Sequence, residues 1–161
     1  MRRAEEPHAG DLAAGVRVTI VASDYHREIH ERLLAGACAA FAQAGGAPAD
    51  LRIVVVDGVY DLPAPVAEAI RQGANAVVTL GCVVRGETRH DRHIVDAVFT
   101  TLAGVAAAHA VPVAVGILTV ETLKQARQRA GGEKGDAGAF AMRAALRSAA
   151  ALRDMRKDGD A

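Results

Sequence analysis

The apolar positions of this chain fall into two kinds of run. Residues 16–22, 51–56, 76–80 and 111–118 form short, nearly continuous stretches rich in Val, Ile and Leu. That is the pattern of strands buried on both faces. Between them the apolar period lengthens: Ile29, Leu33, Leu34, Ala37 and Phe41 mark an amphipathic helix over 28–44, stopped by Gly45 and Gly46. Further helices are predicted over 65–72, which opens on a proline, over 89–109, over 121–130, which ends at Gly131 and Gly132, and over 137–155. Residues 156–161 read as a frayed tail. Residues 1–15, broken by Pro7, Gly10 and Gly15, read as a leading segment that is flexible or exchanged with a neighbouring chain. The order βαβαβαβαα, with strands apolar throughout, predicts an α/β fold in which a four-stranded parallel sheet lies between helices in a three-layer α/β/α sandwich.

Composition narrows this picture. The 161 residues fit one domain, and no repeat or linker divides them. Hydrophobic residues make up 51% of the chain but aromatics only 3%, so the core is built from small aliphatic side chains that bury little area each. Oligomerisation is a common remedy for that shortage. Lys plus Arg and Asp plus Glu both number 19, which gives no electrostatic reason to expect a nucleic-acid or anionic-membrane partner. The longest apolar tract, 105–120, is interrupted by His109 and Pro112 and is not expected to span a membrane. Residues 1–15 lack the apolar centre of a signal peptide, and Cys38 and Cys82 stand in unrelated contexts without a CxxC pair. A cytoplasmic location without a disulfide framework is the expectation.

In a parallel sheet, ligands bind beyond the carboxyl ends of the strands. Here those exits are 23–26, 57–63, 81–90 and 116–119. The third carries the most chemistry: Gly81-Cys82-Val83-Val84-Arg85-Gly86-Glu87-Thr88-Arg89-His90 takes a strand through a glycine-bearing turn into a helix. Free N–H groups at the helix start, with the Thr88 hydroxyl, make a phosphate site, and an imidazole at His90 suits proton shuttling. The same residues also allow a purely structural turn in which Thr88 is only an N-cap. Taken singly, Tyr25 and Tyr60 read equally as packing groups with wet hydroxyls, Arg129 as a solvated helix-end cation, Asp61 as a loop cap and Cys82 as a small core residue.

The stretch LGCVVRGETRH at 80–90 resembles the signature of the lumazine synthases, a strand followed by glycine–x–threonine–x–histidine. The resemblance extends from about residue 16 to 152. It includes the first-strand exit at 18–26, the loop VDGVYDLP at 56–63 and the segment GILTVETLKQARQRAG at 116–131. It implies a flavodoxin-like sheet, a pentamer able to close into a sixty-subunit shell, and condensation of a ribitylamino-uracil with dihydroxybutanone phosphate, with no cofactor and no metal. By position, it implies His90 as the catalytic proton carrier and Gly86, Glu87 and Thr88 as the phosphate loop. It also implies Arg129 as an arginine that reaches the phosphate from a neighbouring subunit. Tyr25 and His26 match the residues beside the pyrimidine; Val59, Tyr60 and Asp61 match the ribityl loop; Cys82, Val83 and Val84 match the backbone that reads the uracil edge; Val115 matches a further substrate position.

The chain departs from the commoner family pattern at several of these places. Tyr25-His26 stands for phenylalanine–asparagine, Asp57 for a proline, Asp61 for glutamate and Val115 for phenylalanine, and Glu133, Lys134 and Asp136-Ala137 alter the loop after Arg129. These departures motivate an alternative: a catalytically weak relative that forms a shell or binds lumazine or flavin. The histidine pairs His26/His30 and His90/His93 share helix faces, but neither has a glutamate directly after its first histidine or a third ligand placed by sequence, so no metal site is expected.

Overall fold

A computed structural model describes residues 11–88 and 90–159. The chain runs β1 (Val18–Ser23), α1 (Arg27–Gln43), β2 (Leu51–Val56), α2 (Pro63–Arg71), β3 (Ala76–Val84), α3 (His90–His109), β4 (Val113–Val120), α4 (Leu123–Arg129), β5 (Ala130–Gly132), β6 (Gly135–Asp136) and α5 (Ala137–Gly159). Strands β1 to β4 form a parallel sheet in the order β2-β1-β3-β4, so the chain reverses its direction of travel at the β1/β3 pair. Successive strand residues alternate between two cores. Ile20, Ala22, Val78 and Leu80 face α1 and α5 (Leu33, Phe41, Met142, Leu146), while Val21, Val77 and Ile117 face α2 and α3 (Val66, Val98, Leu102). This is the three-layer α/β/α sandwich that the sequence pattern predicts, in the flavodoxin-like order that the resemblance implies.

The differences from the predicted elements have local causes. Strand β3 does not stop at Leu80 but continues through Gly81 to Val84, because β4 extends alongside it: Gly81 pairs with Ile117 and Val84 with Val120. The phosphate-loop candidate therefore starts only at Arg85. Helix α4 is shorter than its apolar period suggests, with Thr122 as N-cap accepting a hydrogen bond from the Gln125 amide at 3.3 Å. The glycines after it form a tight β5–β6 hairpin, not a plain loop. Helix α5 continues to Gly159, so the predicted fraying from 156 onward is not seen within the described residues. Of the leading segment, residues 1–10 lie outside the described residues. The rest turns back onto the domain, with Ala13 fully buried and its N–H bonded to the Ala44 carbonyl at 2.9 Å.

The edge strands are less covered than their apolar sequences imply. Ile53 and Val55 on β2 are 44% and 50% exposed, and Val115 on β4 is 41% exposed. A row of small residues on α3, including Ala97, Gly104 and Ala108, also faces outward. No helix among the described residues is long and apolar enough to cross a membrane.

Candidate active site

The carboxyl ends of β1, β2 and β3 open onto a cavity of about 380 Å³. Its floor depends on one close approach. A Cβ at Gly81 would lie 2.8 Å from Val59 Cγ2, so only glycine lets the turn after β2 settle onto β3 with Val59 buried. That turn is a single 3-10 turn, Val59–Asp61, held by its own termini: the Asp61 carboxylate accepts the Gly58 N–H at 3.0 Å, and the Asp61 N–H donates to the Gly58 carbonyl. The first exit is tied down similarly, with Ser23 Oγ donating to the Asp57 carbonyl at 3.0 Å and the Asp24 N–H to the Val56 carbonyl at 3.1 Å.

Most of the residues singled out in the sequence converge on this cavity. Tyr25, His26, Val59, Tyr60, Cys82, Val83, Val84, Gly86, Thr88 and His90 all line it. Tyr25 and Tyr60 are 76% and 66% exposed, so both rings are accessible to a planar ligand. The Tyr25 and His26 rings meet edge to face with centroids 5.1 Å apart, which gives Tyr25 one braced side. Burial lowers the pKa of His26, so the cavity wall presents a neutral imidazole near pH 7. Burial also pushes the Cys82 thiol up to about 11, leaving it uncharged and fitted to a packing role. Thr88 and His90 lie on either side of the start of α3, facing the same opening.

Glu87 lines an adjoining, larger cavity of about 720 Å³ on the far side of the 85–88 loop, which shares Val83, Gly86, Thr88 and Asp91 with the first. We assign the chemistry to the smaller cavity because it alone gathers His90 with the aromatic residues. Three sequence candidates line neither cavity: Asp61, whose carboxylate is occupied in its own turn; Val115, on the outer edge strand; and Arg129, whose guanidinium donates to the Gln125 carbonyl at 3.3 Å. Conversely, Gly58, Asp91 and Ile94 line the site without having been singled out. Ile94 was findable, since it follows His90 by one helical turn; Asp91 simply shares the first turn of α3.

The two altered carboxylates after Arg129 are bonded to near neighbours in the chain. Glu133 accepts a 2.6 Å hydrogen bond from the Gln128 amide, and Asp136 Oδ1 accepts the Ala139 N–H at 3.0 Å, capping α5. Neither carboxylate lines either of these two cavities.

A reversal in strand order, a cavity at the carboxyl ends beside it and a histidine opening the adjacent helix define an α/β protein with a candidate ligand site at the topological switch point. The family is shown by comparison: the chain belongs to the 6,7-dimethyl-8-ribityllumazine synthase family, whose model matches residues 15–153. Proteins of that name from Frankia casuarinae, Kineococcus radiotolerans and Xylella fastidiosa are 44%, 42% and 39% identical to it, over 91%, 87% and 86% of this chain and 91%, 87% and 92% of their own.

Proposed function

We propose that this chain condenses 5-amino-6-(ribitylamino)uracil with 3,4-dihydroxy-2-butanone 4-phosphate to 6,7-dimethyl-8-ribityllumazine, releasing phosphate and water, as a transferase of riboflavin biosynthesis. The observation that carries this reading is the convergence of Tyr25, Tyr60, Thr88 and His90 on one cavity in a chain of this family. The pyrimidine stacks on Tyr25 beside the neutral His26, the ribityl chain lies along Val59 and Tyr60, and the backbone of Cys82 to Val84 reads the uracil edge. The phosphate sits on Gly86, the Glu87 backbone and Thr88, where the amides at the start of α3 favour negative charge. An aromatic amine and a ketone react readily once held together, so proximity supplies much of the acceleration. His90 moves the protons of imine formation, phosphate loss and ring closure. These steps call for neither a metal nor an organic cofactor. The alternative of a weak, ligand-binding relative loses ground because proteins 39–44% identical over most of the chain are named for the synthase.

The working unit in this reading is a cytoplasmic ring of five. Val115 and Arg129 do not line their own chain's cavity, which supports a site completed by a neighbour. The uncovered apolar edges at Ile53, Val55 and Val115 support the same conclusion. The hairpin between Arg129 and α5 is short, with two residues separating β5 from β6, and this favours closure of the rings into a sixty-subunit shell. Sedimentation is expected to resolve shell-sized particles; a population of pentamers alone would sink the shell while leaving the ring.

Arg129→Ala tests the phosphate assignment. Loss of a bidentate phosphate contact is expected to raise the KM for the phosphorylated ketone about tenfold or more with little change for the uracil. A rise confined to the uracil, measured with each substrate varied in turn, would contradict it.

A further inference from the structure

Helix α4 has only seven residues, too few to hold its own direction in water, yet it carries Arg129. Its middle is held to α1, with Arg127 donating to the Glu28 carboxylate at 2.8 to 3.0 Å and Ala126 buried, and its start and end are held by a second set of contacts. At its start, the Glu121 N–H donates to Gln125 Oε1 at 2.9 Å, and the Glu121 carboxylate takes both its oxygens to Arg85 Nη1 at 3.2 and 3.1 Å. The Arg85 N–H in turn donates to the Val120 carbonyl at 2.8 Å. One turn on, Arg129 donates from its guanidinium to the Gln125 carbonyl at 3.3 Å. A continuous chain of contacts therefore joins Arg85, the residue directly before the phosphate loop, to Glu121, Gln125 and Arg129.

The Arg85 and Glu121 side chains are 66% and 60% exposed. A pair that exposed contributes little to folding stability, so its value lies in where it holds its two ends. Arg85 left alone would also be a free cation next to Gly86, able to draw a phosphate out of register. Glu121 neutralises it.

We propose that Glu121 is a positioning residue: through Arg85 and Gln125 it locks the phosphate loop of its own chain to the helix that presents Arg129. The inference rests on the reaction proposed above. If Arg129 serves the adjacent site, one ion pair sets the phosphate geometry of two neighbouring sites together.

The test is steady-state kinetics on the full-length assembly with both substrates, comparing wild type with Glu121→Gln, Glu121→Asp, Arg85→Gln and the double variant E121Q/R85Q. Glu121→Gln is expected to raise the KM for the phosphorylated ketone about fivefold, leaving the KM for the uracil within about twofold. Glu121→Asp should recover part of the loss, and the double variant should be no worse than the worse single one, as coupled residues behave. An unchanged ketone KM in Glu121→Gln, or strictly additive effects in the double variant, would overturn the inference while leaving the proposed reaction standing. A lowered urea midpoint with both KM values raised alike would mark Glu121 as merely structural, and overturns it too. Wild type without turnover removes the proposed reaction and this inference with it.

Discussion

Replacing His90 by alanine is expected to lower kcat for lumazine formation by roughly 100-fold, the lower end of what a positioned proton carrier contributes. The lower end applies because holding an amine against a ketone already supplies much of the acceleration, and the variant keeps every residue that does the holding. Tyr25, Val59, Tyr60 and Thr88 stand on other elements or on the loop before α3, so the KM values should move much less than kcat. The fold should be indifferent. His90 is exposed at the first position of α3 and belongs to neither hydrophobic core, so circular dichroism and sedimentation should match wild type. Single-turnover and steady-state rates on the same preparation check this, and an unchanged kcat would remove His90 from the chemistry.

The largest effect on stability is expected from Gly138→Ala. Helices α1 and α5 cross where Gly138 lies against the α1 backbone, and a Cβ there would fall directly on the Leu33 carbonyl oxygen, with the carbonyl carbon at 2.8 Å. A side chain could rotate aside, but a helix carbonyl cannot, so α5 would have to lift from α1. The gap would open beside Leu33, Ala141 and Met142, all essentially buried. Alanine gains about 1 kcal/mol of helix propensity over glycine, but overpacking of this kind costs about 1–3 kcal/mol and occasionally more. Because the collision is with backbone, we expect a net loss of about 1–2 kcal/mol, read as a lower urea midpoint. A midpoint equal to or above wild type would show that the crossing tolerates a methyl group. Gly36 on α1 is similarly close-packed, with the Asp136 carboxylate occupying the space a Cβ would take.

How much of this was legible in the sequence follows from which forces are local. The parallel sheet was readable because 16–22, 51–56 and 111–118 are dense in β-branched residues, a pattern that few other environments favour. The end of β3 was not. Gly81 looks like a break, and only its pairing with Ile117 on β4, 36 positions away in sequence, extends the strand. The β5–β6 hairpin was hidden for a related reason, since Gly131, Gly132 and Gly135 signal a turn without saying that its two arms pair. In the site, the resemblance brought together ten residues that line one cavity. It could not reveal that Asp61 is tied to Gly58, that Glu133 is tied to Gln128, or that Arg85 and Glu121 meet, because these are choices among side-chain partners made after folding. Residues such as Val115 and Arg129, which line neither of the two cavities described, take a role in the proposed reading only through a neighbouring chain.

The most direct measurement is the rate of lumazine appearance, followed by its fluorescence, with both substrates present and the spontaneous reaction subtracted. The account predicts turnover proportional to protein concentration and saturable in each substrate. A rate equal to the spontaneous background, from protein folded and assembled as described, would contradict it.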